Sequence, residues 1–202
     1  MSADANDPDR KPSATETCAA GNEQSQSLAA AINEEVSLHA HDPAWAEAFE
    51  LERDRLRALM PEAFGAIEHI GSTAVPGLVA KPIIDIMAAV DSLDDVEALI
   101  ERLCDNGYTT STEFNAALAD RKWLMRWRDG RRTHHLHIVV ADGCPWNDRL
   151  AFRDALRSEP ALARRYAELK AELATRHQAD RDAYTNAKSA FVHAVVLPKR
   201  RA

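Results

Sequence analysis

Asp85 stands inside the apolar run 83–90, where a buried strand has no use for a charge. Side chains alternate along a strand, so Asp85 and Met87 point one way and Ile84, Ile86 and Ala88 the other. The same count over residues 133–141 groups His135, His137 and Val139 against His134, Leu136, Ile138 and Val140. If these strands are neighbours and bury their Ile/Leu faces under helices, Asp85, His135 and His137 meet on the more open face. One carboxylate and two imidazoles so placed could bind a divalent ion (magnesium, manganese or zinc) or move protons, with Asp85 and His137 as the catalytic candidates. The plainer alternative is that histidines two apart on a strand are polar residues on a solvated sheet face.

The segment before Asp85, residues 68–82, reads EHIGSTAVPGLVAKP and has the composition of a ligand-facing turn. Gly71 permits close backbone approach, Ser72 and Thr73 offer hydroxyls, and the backbone N–H groups ahead of Pro76 could form an anion-binding nest beside Lys81. A phosphate suits that chemistry. The turn lacks the G-K-[ST] element of a P-loop and the G-x-G-x-x-G of a dinucleotide site. Further cations that could reach back to it are Arg153, Arg157, Lys170 and Lys188. Tyr166 and Lys170, like Tyr184 and Lys188, are four residues apart and share a helix face. Taken singly, each cation is also an ordinary surface ion-pair partner. His69 could line the same pocket or be a satisfied strand-end histidine, and His134 reads as structural or exposed.

Several elements must hold these residues. Residues 35–40 read as a short strand, and Asp42-Pro43 then announces a helix. Trp45, Phe49, Leu56 and Leu59 form its apolar stripe, with Glu52, Arg53 and Arg55 expected on the other side. Residues 66–70 and 83–90 read as strands around the turn. Ser92 opens a capping box for a helix carrying Val96, Leu99, Ile100 and Leu103, which stops near Asn106-Gly107. Residues 108–112 begin another strand, 115–120 a loop or helical turn, and 122–128 and 133–141 a hairpin about Asp129-Gly130. Helices over 145–157, 160–177 and 180–197 follow, with Ser158 and Asp180 as caps.

The chain has 202 residues, enough for one domain with a core, and is 46% hydrophobic and 28% charged. We expect a disordered tail over 1–33, which lacks aromatic residues, a folded domain over 34–198, and a solvated basic end over 199–202. A formal net charge of -7 argues against a general grip on nucleic acid and leaves a small molecule or nucleotide as the expected ligand. Three cysteines without C-x-x-C spacing suggest neither a disulfide framework nor a zinc knuckle. With no signal peptide or apolar span in view, the expected setting is cytoplasmic, away from the membrane.

The motifs H-D-P-A-W at 41–45, H-I-G-S-T-A-V-P-G-L-V-A-K-P-I-I-D-I at 69–86, N-G-Y at 106–108, H-H-L-H-I-V at 134–139, F-R-D-A-L-R at 152–157, Y-A-E-L-K at 166–170 and Y-T-N-A-K-S-A-F-V at 184–192 run through nearly everything after the tail. In that order they closely resemble the GrpB family, which also occurs fused to dephospho-CoA kinase. The resemblance implies an α+β fold like that of the DNA polymerase β-type nucleotidyltransferases: a mixed β-sheet backed by helices, with a helical C-terminal part. It implies a nucleotidyltransferase-like protein that binds a nucleotide or phosphorylated small molecule and transfers a nucleotidyl or phosphoryl group with help from a metal. The alternative is a non-catalytic binding module of the same fold that assists a partner such as a CoA-pathway kinase. In that superfamily a glycine-serine pair lies beside the triphosphate, and a D-x-D on the next strand, with a third acid from a later strand, holds two magnesium ions. Gly71, Ser72 and Asp85 match the first elements. Met87 replaces the second acid, His135 and His137 stand on the later strand, and Ala155 takes a position where the family usually has tyrosine.

Overall fold

A computed structural model describes residues 37–94, 96–128, 131–178 and 180–198. The expected tail, the basic end, Asp95 of the capping box and the Asp129-Gly130 turn lie outside the described residues. Five strands form one sheet: β1 (Ile67–Ile70), β2 (Ile84–Val90), β3 (Tyr108–Thr109), β4 (Lys122–Arg128) and β5 (Arg131–Val140). Their order across it is β1-β2-β5-β4-β3, with β2 and β5 parallel at the centre and the other pairs antiparallel. The helices are α1 (Ala44–Leu59), α2 (Glu97–Cys104), α3 (Thr112–Ala117), α4 (Cys144–Ser158), α5 (Pro160–Arg176), α6 (Arg181–Ala187) and α7 (Ser189–Val196). The class is therefore α+β: a mixed sheet with helices and a helical C-terminal part, as expected.

One face of the sheet carries the larger core. Ile84, Ile86, Ala88, Leu124, Leu136 and Ile138 pack there against Trp45, Phe49 and Leu56 of α1 and Leu103 of α2. These are the apolar sets that period-2 and period-3.6 counting picked out. Glu52 departs from the expectation. It lies between Phe49 and Leu56 on the buried stripe and is 4% exposed. Its carboxylate accepts from Tyr108 Oη at 2.6 Å and from Arg55 Nη1 at 3.0 Å, and it pairs with Arg126 of β4. A buried acid is tolerated when both its oxygens are held by donors and its charge is paired in this way.

The opposite face is not open. Ile70, Met87, Ala89 and Val139 form a second apolar cluster there, capped by Trp146 of α4. Sequence periodicity cannot reveal which helix returns over a face.

Of the expected strand over 35–40, residues 35 and 36 lie outside the described residues, and 37–40 form one bridge, between His39 and Ala80. The strand begun at Tyr108 stops at Thr109, because Ser111 caps α3 by accepting from Phe114 N at 3.1 Å. Ser158 is not the cap of α5: it sits at the end of α4 and donates back to Asp154 O at 2.8 Å. Asp180 does cap α6, accepting from Ala183 N at 2.9 Å. The long helix expected over 180–197 is two helices joined at Lys188. Among the described residues no helix is long and apolar enough to cross a membrane.

Candidate functional site

The parallel pairing of β2 with β5 sets Asp85 directly beside His135 and Met87 beside His137. Register thus supplies the juxtaposition that alternation had suggested. The Nδ1 of His135 lies 2.9 Å from Oδ1 of Asp85. An ionised carboxylate only accepts, so the ring carries its proton on Nδ1. Burial works against the charge on Asp85, but the hydrogen bond from His135, with Lys81 adding positive field, holds its carboxyl down at about 2. Asp85 is an anion at every ordinary pH.

Gly71 makes room for that carboxylate. At the end of β1 the chain turns with Gly71 at φ 71, a region that L side chains rarely adopt. A Cβ there would lie 3.0 Å from Cγ of Asp85 and closer still to Oδ2. The glycine therefore serves two needs, a left-handed turn and the close approach of the turn to the acid.

Ser72 opens the short 3-10 turn Ser72–Ala74, and its Oγ accepts from Nζ of Lys170 on α5 at 3.0 Å. The same ammonium also donates to the carbonyl of Val79 and lies 4.8 Å from the ring centre of Tyr166. Lys170 is 2% exposed, and burial, with Lys188 repelling it, lowers its pKa to about 7. Lys188 and Lys81 both approach the ring of Tyr184, at 4.2 and 5.6 Å from its centre. Three lysines distant in the chain thus converge behind the Gly71–Ser72 turn.

The other candidates divide. Thr73 is buried; its hydroxyl donates to Ile83 O at 3.3 Å and contacts His69 Nε2 at 3.0 Å. His69 stacks on Phe49 with ring centres 4.8 Å apart, and burial lowers its pKa to about 4. It registers with Ile86, not Asp85, so it belongs to the core face. Arg153 clamps α4 to β1 through Glu68 Oε2 at 2.6 Å and His69 O at 3.0 Å, and also holds Asp154 at 2.7 Å. Arg157 donates to Ala74 O at 2.9 Å. His137 is held neutral, its pKa pushed well down by burial and then by Arg149. Its Nδ1 is buried without a hydrogen-bond partner.

Sequence reading missed Arg149 and Trp123. Arg149 is four residues before Arg153 on α4, a helical spacing that could have flagged it. Trp123 registers with His137, and its ring centre lies 5.3 Å from that of His135. Alternation from Met125, which registers with His135, would have placed it on this face.

Two-ion phosphoryl chemistry needs several hard oxygen donors. Met87, where the second acid would stand, is fully buried in the apolar cluster. Among the described residues no three His, Cys, Asp or Glu side chains group as a metal-ligand set. Asp85, His135 and His137 share a face, but one imidazole faces the carboxylate and the other registers with a thioether. This donor set does not fit a two-magnesium centre.

The chain matches the family model described as GrpB protein over residues 35–197. It is 36% identical over 170 residues to the glutamate-rich protein GrpB of Alkalihalophilus pseudofirmus, covering 80% of this chain and 94% of that one. It is 35% identical to the YqkA protein of Bacillus subtilis, covering 78% of this chain but only 45% of that longer protein. A dephospho-CoA kinase of Mycolicibacterium paratuberculosis is 30% identical over 176 residues, 76% of this chain and 43% of that one. Among solved structures, the conserved protein GrpB from Enterococcus faecalis is 37% identical with a TM-score of 0.72, covering 82% of this chain and all of that one.

Proposed function

This chain belongs to the GrpB family, and we propose that it binds a nucleotide or another phosphorylated small molecule over the Gly71–Ser72 turn. The observation that carries this reading is the ammonium of Lys170, buried against Ser72 Oγ with Lys188 close enough to depress its pKa. A protein holds mutually repelling cations in a low-dielectric site at a cost, and an anion bound beside them offsets it. The turn, whose φ-positive glycine brings backbone close to the site, supplies a hydroxyl and Lys81 on the same wall. Asp85 and His135 sit at the far side of Gly71. Asp85 orients the imidazole and keeps its proton on Nδ1, the arrangement used to pass a proton to or from a reacting hydroxyl.

On this reading the protein is nucleotidyltransferase-like: Ser72, Lys81, Lys170 and Lys188 receive the phosphates, and the Asp85–His135 pair faces the group that gains or loses a proton. Catalysis would come from positioning and fixed charge. Met87 supports a second reading, a non-catalytic module that binds the same ligand and assists a partner. The similarity to a segment of a dephospho-CoA kinase makes a CoA-pathway kinase the first partner to try.

Calorimetry with pyrophosphate and a nucleotide panel, with and without magnesium, manganese or zinc, tests the site. The proposal expects a ligand bound at least tenfold more tightly by the native chain than by a Ser72→Ala, Lys170→Met double variant. Equal affinity, or no binding across the panel, would sink it. A bound nucleotide that gives no product or pyrophosphate in a sensitive assay decides for the binding module.

A further inference from the structure

We propose that Ser72 is a nucleophile with Lys170 as its general base, and that the site carries a phosphoryl or nucleotidyl group as an ester on Ser72 Oγ. A serine hydroxyl attacks only when a neighbouring group can take its proton. Ser72 is half-buried on the turn, and Nζ of Lys170 lies 3.0 Å from its Oγ. The lysine is fixed in place. It is nearly inaccessible to solvent, its Nζ also donates to Val79 O, and Tyr166, one helical turn earlier, holds it over its ring. The Tyr166 hydroxyl interacts with the same Ser72 side chain, completing a Ser–Lys–Tyr cluster.

Neutral lysine is required of a base, and in the site free of any anion the surroundings favour it: burial and then Lys188 bring Lys170 to about 7. The groups facing it are Ser72 and Val79 O from the turn, Tyr166 on its own helix, and Lys188, with Tyr184 and Lys81 behind. Tyr166 keeps its proton because burial raises its pKa above the ordinary value, so it is not the base.

The step balances without a further reactant. Ser72 Oγ attacks phosphorus, the bond from phosphorus to the leaving oxygen breaks with its electron pair on that oxygen, and the serine proton passes to Nζ of Lys170. In the second half an acceptor hydroxyl attacks, Ser72 Oγ departs and recovers the proton from Lys170, and the acceptor's proton passes to solvent. The class of donor rests on the phosphate-binding reading above; the nucleophile does not.

The test treats the folded full chain with an alkyl fluorophosphonate, which loses fluoride to an activated serine, and maps the label by peptide mass. Labelling is expected at Ser72, with a rate that climbs with pH about a midpoint near 7. It should vanish in Ser72→Ala and drop about 100-fold or more in Lys170→Met and Lys170→Arg, the arginine keeping the charge but losing the base. Should both Lys170 variants fail to fold by thermal melting, the pH profile of the native chain decides. A Ser72 no more reactive than in urea-unfolded chain, a rate unmoved in Lys170→Arg, or a profile with no ionisation near 7 would overturn the proposal. Pyrophosphate titration of the same samples separates the two ideas: binding with an inert Ser72 overturns the nucleophile alone, and neither binding nor labelling overturns both.

Discussion

Replacing Gly71 by alanine isolates the contact on which the candidate site is built. Two costs add. A Cβ-bearing residue held at φ 71 and ψ -168, a region that glycine alone adopts freely, costs about 1–3 kcal/mol. The new methyl would also press on the Asp85 carboxylate, with its carbon 3.0 Å from Cγ, so the acid must swing away from His135. Losing a hydrogen bond to a charged acceptor costs about 1.5–3 kcal/mol. The sum is roughly 2.5–6 kcal/mol. Gly77 provides the control, since its φ is 76 and a Cβ there meets nothing within 4 Å. Gly77→Ala should therefore lose only the backbone part, about 1 kcal/mol. Urea denaturation of both variants and the native chain at pH 7 reads the difference directly. If Gly71→Ala loses no more than Gly77→Ala, the carboxylate is not packed on the turn and the geometry of the site is wrong.

Other expectations follow from the charges. Because the folded-state pKa of Asp85 is depressed to about 2, its ionisation stabilises the fold above the ordinary carboxylate range and that part is lost as pH falls from about 4 through 2. Native chain and Asp85→Asn, compared by thermal melting between pH 7 and 2.5, should converge by about 1–2 kcal/mol. Lys170 has the opposite history: its folded pKa is near 7, below the ordinary lysine value, so the unfolded chain binds the extra proton above pH 7. Native stability should rise between pH 7 and 9 by up to about 1.4 kcal/mol per unit, and Lys170→Met should lack the rise in parallel urea titrations. Arg153→Ala should cost about 1–3 kcal/mol by removing the clamp on Glu68 and His69 O, while changing pyrophosphate affinity by less than about threefold. A larger affinity loss would make Arg153 a ligand contact. Glu52→Gln should destabilise by about 3 kcal/mol, because Arg126 and Arg55 lose a buried counter-charge.

Much of the sheet was legible because period-2 patterning is a local property. The strand over 122–128 was read to the residue, and Asp85 and His135 were placed on one face. Their direct pairing was not legible, since alternation fixes the face while register depends on how two distant strands align. The covering of that face by α4, and the burial of Met87 and Lys170 beneath helices, belong to tertiary packing and leave little trace in a hydrophobic pattern. Lys170 shows this most clearly. Its four-residue spacing from Tyr166 was visible, yet nothing local says that an ammonium on an amphipathic helix will be buried against Ser72. Glu52 misled for the same reason: on its own helix it looks like a surface acid, and only Tyr108 and Arg126, 56 and 74 residues away, explain it.

The central claim is that an anion binds beside Lys170 and Ser72. An anion bound at Ser72 should draw a proton onto Lys170, so pyrophosphate binding at pH 8, followed by calorimetry in buffers of different ionisation enthalpy, measures it directly. The native chain is expected to take up a substantial fraction of a proton beyond whatever Lys170→Met takes up. Identical proton uptake and identical affinity in the two proteins would contradict an anion site at this lysine.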